Sequence, residues 1–349
     1  MRAMSIPLVF MGSDPISCHF LRALADAEDM DVRLVVTKPD VEQGRRVQRC
    51  AVRQMVADAG LPLDVFMPER LNEDASVTRI AAAAPQVVVV VAYGKLLGSR
   101  ILSMPPLGCL NIHMSLLPAL RGADPITRAI LGGLPETGVT AMRMERGLDS
   151  GPVYAQRSTP VRPDDNHDTL AGRLTALGVP LMLETIRALR DGAAVATVQD
   201  ESRATLAPKR SAEEWMIDWG ETAEQVDRRV RAFSPRPSCT AYLPPSAELR
   251  GQPLPSDPAR LRALVGPVLK VSGVEVLPGP APEGARPSQI VAIEKKGVVV
   301  ATGRGCVRLT QVRPFGKPRT LSGPEFVNGY RNKLRVGDKL YPVLQTPWD

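Results

Sequence analysis

The 349-residue chain is 44% hydrophobic and 23% charged, with a formal net charge of +7, which is typical of a globular protein of about two domains. Its longest apolar run, Val87 to Ala92, is far shorter than the roughly 18 residues of a membrane span, and the N-terminus lacks a signal-peptide pattern, so we expect a cytoplasmic protein that does not cross a membrane. Five scattered cysteines form no C-x-x-C pair, which argues against a disulfide framework or a zinc site, and we expect no metal.

The first half of the chain alternates short apolar runs with helical patterns. The predicted strands are Leu8–Met11, Val32–Thr37, Val87–Ala92, Cys109–His113 and Val139–Met144. The predicted helices run through Phe20–Leu24, Val52–Ala59, Val77–Ala84 and Thr169–Leu189. Such alternation predicts a doubly wound, mostly parallel α/β sheet with a ligand crevice at the carboxyl ends of its strands. No G-x-G-x-x-G follows the first strand, so there is little reason to expect a dinucleotide.

A basic segment lies between the second predicted strand and the next helix. Arg45, Arg49 and Arg53 are spaced four residues apart and would share one face if the segment formed a helix. That face could contact nucleic acid, and it could equally be a solvated basic surface.

The stretch from Cys109 to Val153 collects the polar groups of a candidate active site. Asn111 and His113 are two residues apart on a predicted strand, so their side chains share one face. His113 is one of only three histidines, and imidazole is the side chain that titrates nearest to neutral pH. Asp149 follows in Leu148-Asp149-Ser150-Gly151-Pro152. Taken singly, the histidine could be structural and the aspartate could cap its own turn.

The second half of the chain changes character after residue 193. Residues 194–213 lack periodicity and read as a linker, and a short helix is predicted at Ala223–Phe233. Short strands at Ile290–Ile293, Gly297–Thr302 and Cys306–Val312 predict a small β-barrel or sandwich, with Pro244–Pro287 as an irregular insertion. Residues 221–349 carry 20 lysines and arginines against 11 acidic residues, whereas residues 1–220 carry 24 against 26. This basic surplus suits a polyanionic partner, although a merely soluble basic surface explains the charge equally well.

Several motifs together resemble the methionyl-tRNA formyltransferase family. The N-terminal motifs are Val91-Ala92-Tyr93-Gly94, Asn111-Ile112-His113, Ser115-Leu116-Leu117-Pro118, Arg121-Gly122, Thr137-Gly138-Val139 and Leu148 to Pro152. The C-terminal motifs are Ile217-Asp218-Trp219, Arg231-Ala232-Phe233, Ala301-Thr302-Gly303 and Phe326-Val327-Asn328-Gly329. The central motifs identify only the wider group of enzymes that use 10-formyltetrahydrofolate. The C-terminal motifs and the basic domain select the tRNA enzymes within it.

This resemblance implies a Rossmann-like catalytic domain at residues 1–193, a linker at 194–213 and an OB-like, tRNA-binding barrel at 214–349. It also implies a monomeric enzyme of translation initiation. Such an enzyme transfers the formyl group of 10-formyltetrahydrofolate to the α-amino group of methionyl initiator tRNA, by direct amine attack through a tetrahedral intermediate. Two alternatives are a formyltransferase for an amino sugar nucleotide, which shares the central chemistry but does not require a basic second domain, and a catalytically silent RNA-binding protein on this scaffold.

The roles that the resemblance implies fall on three groups of residues. The catalytic group is Asn111, His113 and Asp149, in which the amide donates to the oxyanion and the other two residues handle protons. The folate-binding group is Tyr93, Gly94, Ser115, Leu116, Leu117 and Pro118. The expected tRNA-binding residues are Arg45 and Arg46. Arg121 could bind a folate carboxylate or a phosphate, or form a structural salt bridge.

Overall fold

The computed structural model describes residues 5–43, 46–211, 213–243, 268–314 and 316–340, with the backbone alone described at residues 42, 43 and 46–48. The chain forms two compact units. The first comprises Met1–Ile126, Pro135–Val161 and Leu170–Lys209, and the second comprises Thr127–Leu134, Arg162–Thr169 and Arg210–Asp349. The domain boundaries expected at residues 193 and 213 stay a prediction.

Nine strands and six helices are described up to residue 190. The strands are β1 (Ile6–Gly12), β2 (Met30–Val36), β3 (Val41–Gln43), β4 (Arg46–Gln48), β5 (Val65–Phe66), β6 (Val87–Val91), β7 (Cys109–His113), β8 (Glu136–Arg143) and β9 (Val153–Pro160). The helices are α1 (Pro15–Asp26), α2 (Ala51–Asp58), α3 (Asp74–Ala82), α4 (Ser99–Leu102), α5 (Pro125–Leu131) and α6 (His167–Arg190).

The first unit is built on a seven-stranded sheet of order β5-β2-β1-β6-β7-β8-β9. The five strands from β5 to β7 are parallel, whereas β8 and β9 are antiparallel to their neighbours. Within the sheet, β2 pairs with one edge of β1 and β6 pairs with the other edge. The strand order therefore reverses between β1 and β6. Ligands of open α/β sheets bind in the crevice at such a switch point, beside which β7 ends.

Local sequence explains why these elements form. All five valines of β6 are buried because helices cover both faces of a parallel sheet. Helix α1 begins at Pro15, its N-cap Asp14 accepts a hydrogen bond from the Ile16 N–H, and Phe20 and Leu24 lie on its buried face. One face of the sheet packs a hydrophobic cluster that contains Val88, Val90 and Cys109 together with residues of α3 and α4. Within the described ranges, no helix is both long and apolar enough to cross a membrane.

The second unit contains an antiparallel sheet. Its strands are β10 (Cys239–Tyr242), β11 (Val268–Leu277), β12 (Ile290–Glu294), β13 (Gly297–Ala301), β14 (Cys306–Pro314) and β15 (Leu321–Ser322), and its later helices are α7 (Ala223–Ala232) and α8 (Gly323–Tyr330). The strand order is β10-β11-β14-β13-β12, with β15 paired to β14. The predicted fold class, a doubly wound and mostly parallel sheet followed by a smaller β domain, is confirmed.

Two local predictions differ from the structure. The insertion expected to be irregular from Pro244 to Pro287 contains strand β11, whose pairing with β14 shifts register around Gly273. This shift interrupts the two-residue alternation that identifies a strand. The helix considered for the arginine segment begins only at Ala51, so Arg49 precedes it, because residues 46–48 pair with residues 41–43 as strands β4 and β3. Residues 244–267 lie outside the described part of the chain.

Candidate active site

Strand β7 brings an amide and an imidazole to one face of the first sheet. Asn111 lies beside Val90 of β6 and opposite Met142 of β8, and His113 lies opposite Thr140. Both site residues are buried, with relative exposures of 8% for Asn111 and 6% for His113. Because residues two apart on a strand share a face, both side chains reach the same neighbouring turn.

That turn supplies Asp149, between β8 and β9. Its Oδ1 accepts a hydrogen bond from Asn111 Nδ2 at 3.3 Å, and its Oδ2 accepts one from the backbone N–H of Gly122 at 2.8 Å. Oδ2 also lies 3.7 Å from Nδ1 of His113. The structure therefore brings together the three residues that the sequence predicted as catalytic.

A backbone carbonyl orients the His113 ring. The carbonyl oxygen of Leu120 lies 2.9 Å from Nε2. Because a carbonyl oxygen only accepts, Nε2 is the donor and carries a proton. Nδ1 then faces the Asp149 carboxylate across a gap longer than a hydrogen bond. Nδ1 is therefore the ring nitrogen available for proton exchange on the side of Asp149.

Two further kinds of chemical group could act near this cluster, a cysteine nucleophile and a metal site. Cys109 is on the same strand face as Asn111, but burial raises the pKa of its thiol to about 12, so it stays protonated at neutral pH and is a poor nucleophile. Among the described residues, no group of three or more histidine, cysteine, aspartate or glutamate side chains is arranged to hold a metal ion. The arrangement suits acid–base and oxyanion chemistry by side chains.

The loop Ser115–Pro118 follows β7 and is held by side chains of the two antiparallel strands. Thr140 Oγ1 donates to the carbonyl of Ser115 at 2.6 Å and accepts from the N–H of Leu117 at 3.1 Å. Gln156 Nε2 donates to the carbonyl of Leu117 and to Thr140 Oγ1, both at 2.8 Å. These backbone groups are therefore engaged within the protein.

The side chains of the same loop differ in exposure. Leu117 is buried at 5% exposure, whereas Leu116 and Pro118 are half-buried. Leu116 packs over strand β8, where a Cβ on Gly138 would lie 2.5 Å from its Cδ2. The Ser115 hydroxyl donates to the carbonyl of Ala119 at 2.6 Å. Leu116 and Pro118 are thus more exposed than Ser115 and Leu117 in this loop.

Tyr93 and Gly94 follow β6 and have different environments. Tyr93 is 1% exposed within the hydrophobic cluster that contains Val90, and burial raises the pKa of its phenol to about 12. Gly94 has φ of +69°, and a Cβ there would lie 2.5 Å from Nζ of Lys38. Glycine thus lets the ammonium group of Lys38 approach the backbone of this loop.

Arg121 forms a structural ion pair. It is 7% exposed, and its guanidinium pairs with both carboxylate oxygens of Glu201 at 2.7 and 2.8 Å. It also donates to Oε1 of Gln199 from two nitrogens, at 2.8 and 3.1 Å. The hydrogen bonds lower the pKa of the Glu201 carboxyl and raise that of Arg121. Of the readings given above for Arg121, the structure contains the salt bridge.

The expected tRNA-binding residues fall outside this description. Arg45 lies outside the described residues, and Arg46 is described only by its backbone in β4. Nearby, Arg53 forms an ion pair with Asp40, and Arg49 donates to Gln54 at 3.3 Å.

Three side chains that support the site were not predicted from the sequence: Thr140, Gln156 and Gln199. Thr140 lies on a predicted strand, and its position opposite His113 follows once the strand pairing is known. Gln156 belongs to β9, which was not predicted. Gln199 lies 50 residues after Asp149, in the segment read as a linker, and its bonds to backbone carbonyls leave no mark on the sequence.

Comparison with known proteins identifies the family of the chain. Residues 8–186 match the model of the formyl transferase family, and residues 209–331 match that of the formyl transferase C-terminal domain. A methionyl-tRNA formyltransferase of Magnetococcus marinus is 39% identical over 338 residues, which cover 95% of this chain and 97% of the relative.

Two solved structures share the fold at low sequence identity. HypX from Aquifex aeolicus in complex with tetrahydrofolic acid has a TM-score of 0.59 and 17% identity, covering 96% of this chain and 51% of HypX. WlaRD, a sugar 3N-formyl transferase, has a TM-score of 0.56 and 12% identity, covering 91% of this chain and 100% of WlaRD. From the family matches and the full-length relative, the chain belongs to the methionyl-tRNA formyltransferase family and is an enzyme.

Proposed function

We propose that this enzyme transfers the formyl group of 10-formyltetrahydrofolate to the α-amino group of methionyl initiator tRNA. The observation that carries the proposal is the cluster of Asn111, His113 and Asp149, in a chain that matches a methionyl-tRNA formyltransferase over 95% of its length. As an enzyme of translation initiation, it acts in the cytoplasm, and as a monomer.

The proposed reaction is a direct amine attack. The nitrogen lone pair of the α-amino group attacks the formyl carbon and forms a tetrahedral intermediate with a negative oxygen. The bond between this carbon and N10 of the folate then breaks as the carbonyl re-forms. The amine loses one proton and N10 gains one, so the products are formylmethionyl-tRNA and tetrahydrofolate with no net change in charge or oxidation state.

Each member of the cluster has a chemical task in this scheme. The Asn111 amide has two N–H donors; one bonds to Asp149, and the other can donate to the oxyanion. The His113–Asp149 pair takes the proton from the amine and returns one to the leaving nitrogen. Nδ1 of His113 and Oδ2 of Asp149 lie 3.7 Å apart, so we assign the proton transfer to the two residues together.

We place the folate donor in the crevice beside these residues. Leu116 and Pro118 would pack against its flat rings. Gly94, which has no side chain, would let the backbone of the loop after β6 approach the folate closely. Ser115 and Leu117 would shape this wall from behind, since their backbone carbonyls are held by Thr140 and Gln156. Tyr93 would act through the packing of the core.

Positive charge supports tRNA as the acceptor. The basic surplus lies in residues 221–349. The second unit has an open concavity of about 670 Å³ lined by Lys317, Arg319 and Lys333 beside Tyr330, and by Glu325, which pairs with Arg319. Cationic side chains with an aromatic ring suit a phosphate backbone and its bases. We assign Arg45 and Arg46, which belong to the first unit, to the same task. A small sugar nucleotide would not require this basic second unit.

A formyl-transfer assay tests the proposal. Purified enzyme with 10-formyltetrahydrofolate and methionyl initiator tRNA should yield formylmethionine, detected by mass spectrometry after the aminoacyl ester is hydrolysed. Formylation of an amino sugar nucleotide without transfer to tRNA would establish the alternative function. Binding of tRNA without transfer to either acceptor would indicate an RNA-binding protein.

A further inference from the structure

The side chain of Gln199 connects three parts of the candidate active site. Its Nε2 donates to the backbone carbonyls of Asp149 at 2.8 Å and of Gly151 at 2.7 Å. Its Oε1 accepts from Nε and Nη2 of Arg121 at 3.1 and 2.8 Å. Gln199 is 7% exposed, so water has little access to these bonds. Every strong hydrogen-bonding position of the amide is thus engaged within the protein.

The partners fix the orientation of this amide. Backbone carbonyls only accept and a guanidinium only donates. If the amide were turned over, its oxygen would face two carbonyl oxygens and its NH₂ group would face two N–H groups of Arg121, so the opposite orientation is excluded. Arg121 is itself held by the bidentate pair with Glu201. The Gln199 donors therefore stay directed at the turn that carries Asp149.

In that turn, Asp149 lies in the left-handed region, with φ of +49°. This conformation is uncommon for residues with a Cβ, although aspartate adopts it more readily than most, and hydrogen bonds from the surroundings help to hold the turn in it. Gln199 holds the two ends of the Asp149–Gly151 segment, through the carbonyl oxygens of its first and last residues. The Gly122 N–H holds the carboxylate itself at 2.8 Å.

Both supports belong to one assembly. Residues 197–207, here called the strap, pair with the backbone on either side of the site. Thr197 exchanges two hydrogen bonds of 2.8 Å with Val153, while the Arg121 N–H donates to Thr205 at 2.8 Å and the Ala207 N–H donates to Arg121 at 2.7 Å. Gly122 has φ of +123°, and a Cβ there would lie 2.7 Å from the carbonyl oxygen of Ala207. The strap thus fixes the segment whose N–H meets the Asp149 carboxylate.

We propose that Gln199 is a positioning residue for Asp149 in formyl transfer, and this inference rests on the proposed function. Gln199 does not touch the reacting atoms. It sets the backbone from which the Asp149 carboxylate reaches Asn111 and His113, and so it acts on the transition state through Asp149.

The substitution Gln199→Glu tests the inference with little change in shape. Glutamate keeps an acceptor for Arg121 but removes both N–H donors and places a carboxylate oxygen against two carbonyls. A displacement of about 1 Å in a catalytic group can cost on the order of a hundredfold, so we expect kcat to fall about ten- to hundredfold. KM for tRNA and for the folate should stay within about twofold, because the loss arises in the transition state. Gln199→Ala should behave similarly, and thermal unfolding checks that each variant is folded at the assay temperature.

Gln225→Glu is the matched control. It is the same change from amide to carboxylate outside the strap, at a residue whose Oε1 accepts from the Thr222 N–H at 2.9 Å, a bond that the carboxylate keeps. Its kcat should equal that of the wild type.

A double-mutant cycle separates positioning from a general structural effect. If Gln199 acts through Asp149, then Gln199→Glu should change kcat by less than about twofold when Asp149→Asn is already present. An equal loss in both backgrounds would overturn the inference, and so would a folded Gln199→Glu variant with wild-type kcat. Failure of the wild type to formylate methionyl-tRNA would instead refute the proposed function.

Discussion

Replacing Asn111 by alanine removes the proposed oxyanion donor. The side chain is 8% exposed, so water cannot readily take the place of the lost N–H. Loss of one such donor costs about 3 kcal/mol of transition-state stabilisation, and each 1.4 kcal/mol is a tenfold change in rate. We therefore expect kcat for formyl transfer to fall about 10²- to 10³-fold.

The same substitution also removes one hydrogen bond to Asp149. This bond is long, at 3.3 Å, and the carboxylate keeps the shorter bond of 2.8 Å from the Gly122 N–H. The Asp149 carboxylate should therefore stay in place, and most of the loss should reflect the oxyanion. KM for both substrates should change by less than about threefold, because the donor acts in the transition state.

The assay is steady-state transfer of labelled formyl to methionyl-tRNA, with thermal unfolding measured alongside. Asn166→Ala is a suitable control, since Asn166 accepts from the Thr169 N–H at the start of α6. Loss of this cap should lower stability by about 1 kcal/mol and leave kcat unchanged. An Asn111→Ala enzyme with kcat within about threefold of the wild type would refute the oxyanion role.

Four further outcomes are expected. Asp149→Asn should lower kcat by about 10²- to 10⁴-fold in a folded protein, and near-normal turnover would remove the proton-transfer role. Thr140→Val keeps the side-chain shape but loses the hydrogen bonds to the Ser115–Pro118 loop, so KM for the folate should rise several-fold; a change confined to kcat would contradict this. Replacing Arg45 and Arg46 by alanine should raise KM for tRNA and flatten its salt dependence, whereas an unchanged KM would indicate a solvated surface. The pKa of Glu201 is lowered in the folded state, so its ion pair stabilises the fold at pH values above the ordinary pKa of 4.5, and this stabilisation is lost as the pH falls through the pKa of the folded state. The difference in Tm between the wild type and Glu201→Gln should therefore disappear below that pKa. A difference in Tm that does not depend on pH would argue against the ion pair.

The parallel part of the first sheet could be predicted because buried strands have an obvious sequence pattern. Val87–Val91 is an unbroken apolar run, as expected for a strand covered on both faces. Strand β9 lies at the edge of the sheet and most of its side chains are partly exposed or exposed, so Val153–Pro160 lacks that pattern. Strand β11 was hidden by its proline-rich flank and by the register shift at Gly273.

Some residues of the candidate active site could be predicted from the sequence and others could not. Asn111 and His113 could be paired from the two-residue period of one strand, and Asp149 from the resemblance to a family. Gln199 could not be found, because its contacts depend on the path of the strap and on backbone carbonyls, which are chemically alike at every residue. Arg121 carried a visible charge, but only the structure identified Glu201 as its partner.

The choice of acceptor is the central claim, and one competition measurement tests it most directly. The enzyme is given limiting, isotopically labelled 10-formyltetrahydrofolate together with methionyl initiator tRNA and an amino sugar nucleotide. We expect the label to be recovered as formylmethionine on the tRNA, with none on the sugar. Label recovered on the amino sugar, with the tRNA unformylated, would contradict it.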